Sequence, residues 1–127
     1  MRVEELSKEK AVLLETRKRD GSWVGTPVSI VVEDGRAFFK SYDASGKAKR
    51  LRNFPEVRVA PCTMRGRVTG EQVPGRATLL GEESSDAKRA ASLLARKHPL
   101  LQGRIVPAMH RRKGWRTLFY ELTLEPS

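Results

Sequence analysis

Short runs in which apolar and polar residues alternate, broken by Asp-Gly, Gly-rich or Pro-containing steps, dominate this chain and predict antiparallel strands. From Ala11, the segment AVLLETRKRDGSWVGTPVSIVV holds two apolar runs joined through Asp20-Gly21, a dipeptide suited to the positive φ angles of a tight hairpin turn. A second turn of the same kind at Glu33-Asp34-Gly35 leads into RAFFKSY, rich in the aromatic residues that favour strands. Further on, EVRVAPC alternates Val57 and Val59 with Arg58 and Ala60, GRATLL follows a Pro74-Gly75 turn, and RTLFYELTLEP sets Leu118, Tyr120, Leu122 and Leu124 against Thr117, Phe119, Glu121 and Thr123. Six strands are expected, with a turn-rich stretch from Met64 to Gly70.

Helical periodicity is confined to three places. VEELSKEKAVLL at the start predicts a short helix. Lys47 to Phe54 lacks strand alternation and stops at Pro55, whose ring disfavours helix for the residue before it. SSDAKRAASLLARKH offers Ser or Asp as an N-cap, Ala and Leu at helical spacing, and basic residues near its end where they suit the helix dipole. Hairpin-linked strands with one long helix before the last strand predict a mainly β fold with helices. The expected architecture is an antiparallel six-stranded sheet curled into a small barrel and partly covered by helices. Parallel α/β architecture would need helices alternating regularly with strands, and they are absent.

Length and composition narrow this picture further. A chain of 127 residues is expected to form one domain, 1–127, and is short for burying both faces of six strands. A homodimer that covers the remaining apolar strand face is therefore expected. The longest apolar run, Val28 to Val32, is too short to span a membrane, and the start MRVEELSKEK does not read as a secretion signal. The single cysteine, Cys62, rules out an internal disulfide and agrees with a reducing compartment, so a cytoplasmic location is the expectation.

The net charge of +10 is focused rather than spread. Residues 47–67 hold seven Lys or Arg against one acid, and residues 96–116 hold seven against none, which leaves the rest of the chain net negative. Such a field concentrates anionic partners, whether nucleic acid, an acidic membrane or a polyanionic small molecule. The densest cluster, Lys47, Lys49, Arg50 and Arg52, follows a glycine-containing loop that opens a helix at the end of a strand. Backbone N–H groups there are directed at an anion, and the cationic side chains can add charge-assisted bonds to phosphate. Hydrolytic chemistry finds no support: His98 precedes Pro99 at a helix end and His110 sits in the basic run HRRKGWR. Neither stands near a nucleophile elbow, and no HExxH or CxxC spacing occurs, so no metal site is expected.

The run GTPVSIVVEDGRAFFKSYDASGKAKRLRNFPEVRVAPCTMRGRVTG resembles the flavin- and deazaflavin-binding split β-barrel proteins of the pyridoxamine 5′-phosphate oxidase-like superfamily. Within that superfamily it is most similar to the class of oxidoreductases that use coenzyme F420. The similarity extends from about Thr16 to Leu80, and the closing strand fits as well. The resemblance implies a dimeric split barrel that orients a coenzyme for hydride transfer to a small organic substrate, with no catalytic residue identifiable. It places Ser41, Ser45 and Lys47 on the positions that grip the coenzyme phosphate, with Arg50 one helical turn along, and Lys47, Lys49 and Arg50 are expected to hold that phosphate. Thr26, Pro27, Val28 and Ser29 would run beside the ring, with Tyr42 and Trp115 as core or pocket wall. Cys62 would be either a small buried hydrophobe or part of that wall.

Gly46 stands where FMN-using oxidases carry an arginine, and Phe54 replaces the usual polar residue before the proline, departures that favour the deazaflavin over FMN. By the resemblance, the acidic tail of the deazaflavin coenzyme would meet Arg65, Arg67 or the segment from His110 to Arg116. Two other readings stay open at this stage. One is a carrier of FMN or F420 without turnover. The other is a nucleic-acid-binding barrel, which the basic patches support and the scarcity of stacking aromatics near Lys47 to Arg52 disfavours.

Overall fold

The computed structural model of the chain describes residues 2–98 and 116–125. After a 3₁₀ helix at Val3–Lys8, the strands are β1 (Ala11–Arg17), β2 (Trp23–Ser29), β3 (Val31–Glu33), β4 (Arg36–Tyr42), β5 (Glu56–Cys62), β6 (Val73–Leu79) and β7 (Thr117–Leu124). Two helices interrupt them, α1 (Gly46–Asn53) between β4 and β5 and α2 (Ser85–Lys97) after β6. All seven strands belong to one antiparallel sheet in the order β2-β1-β5-β6-β7-β4-β3.

Seven strands stand where six were expected because the apolar run Val28 to Val32 is not one strand. It breaks at Ile30: β2 pairs with β1 along its whole length, whereas β3 pairs with β4. The two margins of the sheet are therefore consecutive pieces of chain, and their junction curls the sheet into a split barrel. The bend is tenable because Ile30 finds partners outside the ladder. Its N–H donates to the Lys10 carbonyl at 3.4 Å, and its carbonyl lies 3.3 Å from Nε2 of His98, the C-cap residue of α2.

Both turns anticipated from Asp-Gly steps form. In the β3–β4 hairpin Asp34 and Gly35 both have positive φ, 53° and 75°, as a two-residue turn of this hand requires. Pro74-Gly75, expected as a turn, instead lies inside β6. Pro74 is tolerated because β7 ends beside it, with the Glu125 N–H donating to its carbonyl. Gly75 is required for close approach, since a Cβ there would sit 2.6 Å from the Thr123 carbonyl of β7. The first helix is a 3₁₀ turn that stops at Lys8, because the strand pattern takes over at Ala11.

Alternation sends Val12, Leu14, Phe39, Val59, Tyr120 and Leu122 into the barrel, where Phe39 and Tyr120 stack with ring centroids 5.0 Å apart. The other face of β3 and β4 offers Val31 and Phe38 to Ala90, Leu93 and Leu94 of α2. The N-terminal end of α2 is fastened by Arg36, which forks onto Asp86 and Glu121 and holds the Asp86 carboxyl below its usual range.

His98 thus serves the bend rather than any reaction. Burial, the largest influence, lowers its pKa from the ordinary 6.5, with Lys97 and Lys10 acting the same way and the Ile30 carbonyl opposing them. A histidine held neutral in the fold makes unfolding easier wherever the unfolded chain binds the extra proton, so stability is lost as pH falls below 6.5. We expect the wild type to lose more Tm than His98→Gln between about pH 7.5 and about pH 5. Equal losses would remove His98 from this role.

Candidate functional site

The end of the barrel at which β4 and β1 finish and β5 and β2 begin is closed by α1. Its sequence GKAKRLRN divides the four cations by helical spacing. Ala48 and Leu51 are buried against the barrel, Lys47 and Arg50 flank that stripe half-buried, and Lys49 and Arg52 face solvent. Ser45 is the N-cap, its hydroxyl accepting from the Ala48 N–H at 3.0 Å and donating to the Tyr42 carbonyl at 2.9 Å. Buried Ser41, near the end of β4, lies 2.8 Å from that hydroxyl, Oγ to Oγ. Ser41, Ser45, Lys47 and Arg50 are therefore brought together at the helix entrance, where the N–H groups of Gly46 and Lys47 have no acceptor within the helix.

Arg50 is positioned by two features that sequence reasoning did not connect. Its Nε donates at 2.6 Å to Oγ1 of Thr16, a fully buried residue on β1. Its guanidinium also folds back over the first turn of α1, so that a Cβ on Gly46 would lie 2.9 Å from Nη1. Arg50, one turn along, thus occupies the space over Gly46, and the missing Cβ makes room for it.

Gly46→Ala should leave Tm unchanged or slightly higher, because alanine favours the helix by roughly 1 kcal/mol. It should nevertheless weaken anion binding by about tenfold by displacing the guanidinium. Titration with a phosphate-bearing coenzyme, paired with a thermal melt, reads both. Unaltered affinity would show that this packing has no bearing on the ligand.

Burial lowers the pKa of two lysines to about 8, Lys40 on β4 and Lys47, and of these Lys47 stands at the helix entrance. The charge of Arg50 adds to the effect of burial there, and Lys47 forms no ion pair among the described residues. No acid occupies the first turn of α1, where the dipole would favour one. A half-desolvated ammonium, a guanidinium and free N–H groups form a donor set that matches a phosphate. Lys49 lies on the outer side of the helix, outside this cradle.

The remaining described residues anticipated for the site lie on β2, at the ends of β4 and β5 and in the β5–β6 connection. Thr26, Pro27, Val28 and Ser29 pair with Leu14, Leu13, Val12 and Ala11. Pro27 suits a strand hydrogen-bonded on one side only. Val28 is buried, and Thr26 Oγ1 is buried with no hydrogen-bond partner among the described residues. Cys62 is buried opposite Ala11, and burial raises its thiol pKa.

Arg65 is exposed, and the adjoining Gly66, with φ of 92°, lies against Pro27. Tyr42 is half-buried across from Thr117, and Trp23 lies beneath the Arg58 guanidinium at 4.3 Å. His110 and Trp115, with most of the basic segment around them, fall outside the described residues. Arg116, the described end of that segment, pairs with Asp43 and Glu82. At the opposite end of the barrel a cleft of about 410 Å³ is lined by Glu5, Glu9 and Glu71, acids that repel phosphate. Among the described residues no cluster of His, Cys, Asp or Glu could hold a metal, and no helix is long and apolar enough to cross a membrane.

Neither a family model nor a curated protein matches this sequence. Solved structures do match it. The haem storage protein HutZ from Vibrio cholerae superposes with a TM-score of 0.72 at 13% identity, covering 100% of this chain and 93% of its own. An FAD-binding protein from Mesorhizobium loti gives 0.67 at 19% identity, covering 95% and 85%. A protein from Listeria innocua, provisionally described as a pyridoxamine 5′-phosphate oxidase, gives 0.65 at 16% identity, covering 95% and 88%. This chain therefore has the split-barrel fold of the pyridoxamine 5′-phosphate oxidase-like proteins, at identities that speak for the fold alone.

Proposed function

We propose that this chain is an oxidoreductase that binds a flavin-type coenzyme by its phosphate at the entrance of α1, with coenzyme F420 as the ligand and FMN as the alternative. The observation that carries the reading is the pairing of a desolvated Lys47, lacking any acid partner, with an Arg50 folded back over Gly46. Two cations held this close repel each other, an arrangement that a bound dianion reverses.

Bound there, the coenzyme would supply hydride transfer between its ring and a small organic substrate. The chain supplies position. Ser45 fixes the helix start, Lys47 and Arg50 hold the anion, and Thr16 anchors Arg50. Thr26 offers its unpaired hydroxyl from β2, and the barrel excludes water on one side. A homodimer belongs to the same reading, formed through the outer face of β1, β2 and β5, where Pro27 is exposed and Leu13 and Trp23 are half-buried.

The deciding experiment is an optical titration of the purified protein with coenzyme F420 and with FMN, followed by turnover of the reduced coenzyme against quinones, enones and tetrapyrroles. Tighter binding of F420 with turnover of an acceptor supports the reading. Binding without turnover makes the chain a carrier, and failure to bind either coenzyme refutes it. Affinity should also fall as pH rises through about 8, because the bound anion needs Lys47 charged. Lys47→Arg, charged throughout, should flatten that dependence. A profile identical in both proteins would exclude Lys47 from the contact.

A further inference from the structure

Most described arginines on the sides of the barrel are neutralised locally: Arg36, Arg58, Arg76, Arg89 and Arg116 each pair with a carboxylate. Arg17 at the end of β1, Lys18 and Arg19 in the loop to β2, and Lys49 and Arg52 of α1 are all exposed and form no ion pair among the described residues. The fold sets the two groups side by side. Arg50 of α1 bonds Thr16, the neighbour of Arg17, and the Arg17 guanidinium lies 5.5 Å from the ring centre of Phe54, the C-cap of α1. Lys49 and Arg52 stand three residues apart and so share the outward face of the helix. Asp20, the one acid in the two segments, is taken up by the N–H and hydroxyl of Ser22, with Lys18 a lesser influence on it. Like charges gathered in this way repel one another, and phosphates laid across them would remove that repulsion.

We propose that the tip of the β1–β2 hairpin and the outward side of α1 form one surface that binds double-stranded nucleic acid through its phosphates, whatever the base sequence. This activity is separate from the coenzyme reading, since it draws on neither Lys47 nor Arg50.

The duplex is favoured over the other polyanions by what surrounds the cations. Phe54 is covered by Arg17 and Trp23 by Arg58, so neither ring is open for the base stacking on which single-strand binding relies. A duplex asks only for cations at its backbone, and contacts of that kind carry no sequence information. An acidic membrane is held best where an apolar group enters the lipid beside the cations. Among the described residues the exposed large hydrophobics are Met64, Val68 and Leu79, and none lies in either segment.

The test follows a fluorescent duplex of about 20 base pairs by anisotropy. Wild type should bind it at micromolar concentration or below in about 50 mM salt and lose roughly two orders of magnitude by about 200 mM, as expected when about four phosphates are neutralised. Lys18→Ser/Arg19→Ser should weaken low-salt binding by about tenfold or more and make its salt dependence shallower. Lys88→Ser/Arg96→Ser removes the same charge from exposed positions on α2 and should cost about threefold or less. Equal losses in the two variants would mean that net charge alone attracts the duplex, which overturns the surface. Absence of binding by wild type at low salt overturns it too. Tighter binding to a single strand of the same length would overturn the choice of duplex. Vesicles containing phosphatidylserine that hold wild type while the duplex does not would overturn nucleic acid in favour of a membrane.

Discussion

Lys47→Ala/Arg50→Ala lowers affinity for a phosphate-bearing coenzyme by roughly two to four orders of magnitude, the sum of two charged hydrogen bonds at about 1.5–3 kcal/mol each. The effect is large because the site is half-desolvated. Lys47 is half-buried, and the burial that lowers its pKa leaves little water to compensate its ammonium when the anion is withdrawn. Arg50 brings a complication, since its removal leaves the buried Thr16 hydroxyl without a partner. A double variant that melts early would confuse folding with binding. Adding Thr16→Val restores a satisfied interior and isolates the anion contact. An affinity loss below tenfold in a protein with a normal melt would rule out the cradle.

Phe39→Ala destabilises the fold by about 3–5 kcal/mol, with a fall in Tm of roughly 10 °C or more. Phe39 is fully buried and stacks on Tyr120 with the rings 7° from parallel, in the interior of a small barrel. The cavity left behind would be lined by β-ladder side chains whose backbones are held in register, so little collapse is available to fill it. Denaturant unfolding read by circular dichroism measures the change. A loss under about 1 kcal/mol would mean that the barrel centre repacks freely, against its observed register.

The local chemistry of the sequence indicated most of the strands and nearly all the helix boundaries. Leu118, Tyr120, Leu122 and Leu124 declare their inward face by alternation alone, and Ser84 and His98 cap α2 close to where its periodicity begins and ends. Asp34-Gly35 forms its turn because few residue pairs other than this one accept the required φ angles. The break at Ile30 was hidden inside the run Val28 to Val32, because the groups that satisfy it, the Lys10 carbonyl and His98, are distant in sequence. Pro74-Gly75 misled for a different reason: the same dipeptide serves a turn or a close backbone approach, and only the position of β7 decides which. For the site, Ser41, Ser45, Lys47 and Arg50 were legible as a helix entrance. The anchor on Thr16 depends on how β1 is brought against α1, which no window of sequence contains.

The bend at Ile30 also bears on how the protein behaves in a crowded solution. An open sheet exposes two rows of unpaired peptide groups that can capture a strand from another molecule. Here both rows belong to neighbouring stretches of one short segment, pinned at its midpoint by Lys10 and His98. A stray chain adding to the free row of β2 would meet Pro27, which has no N–H to donate, so the segment that shapes the barrel also interrupts the row open to edgewise polymerisation.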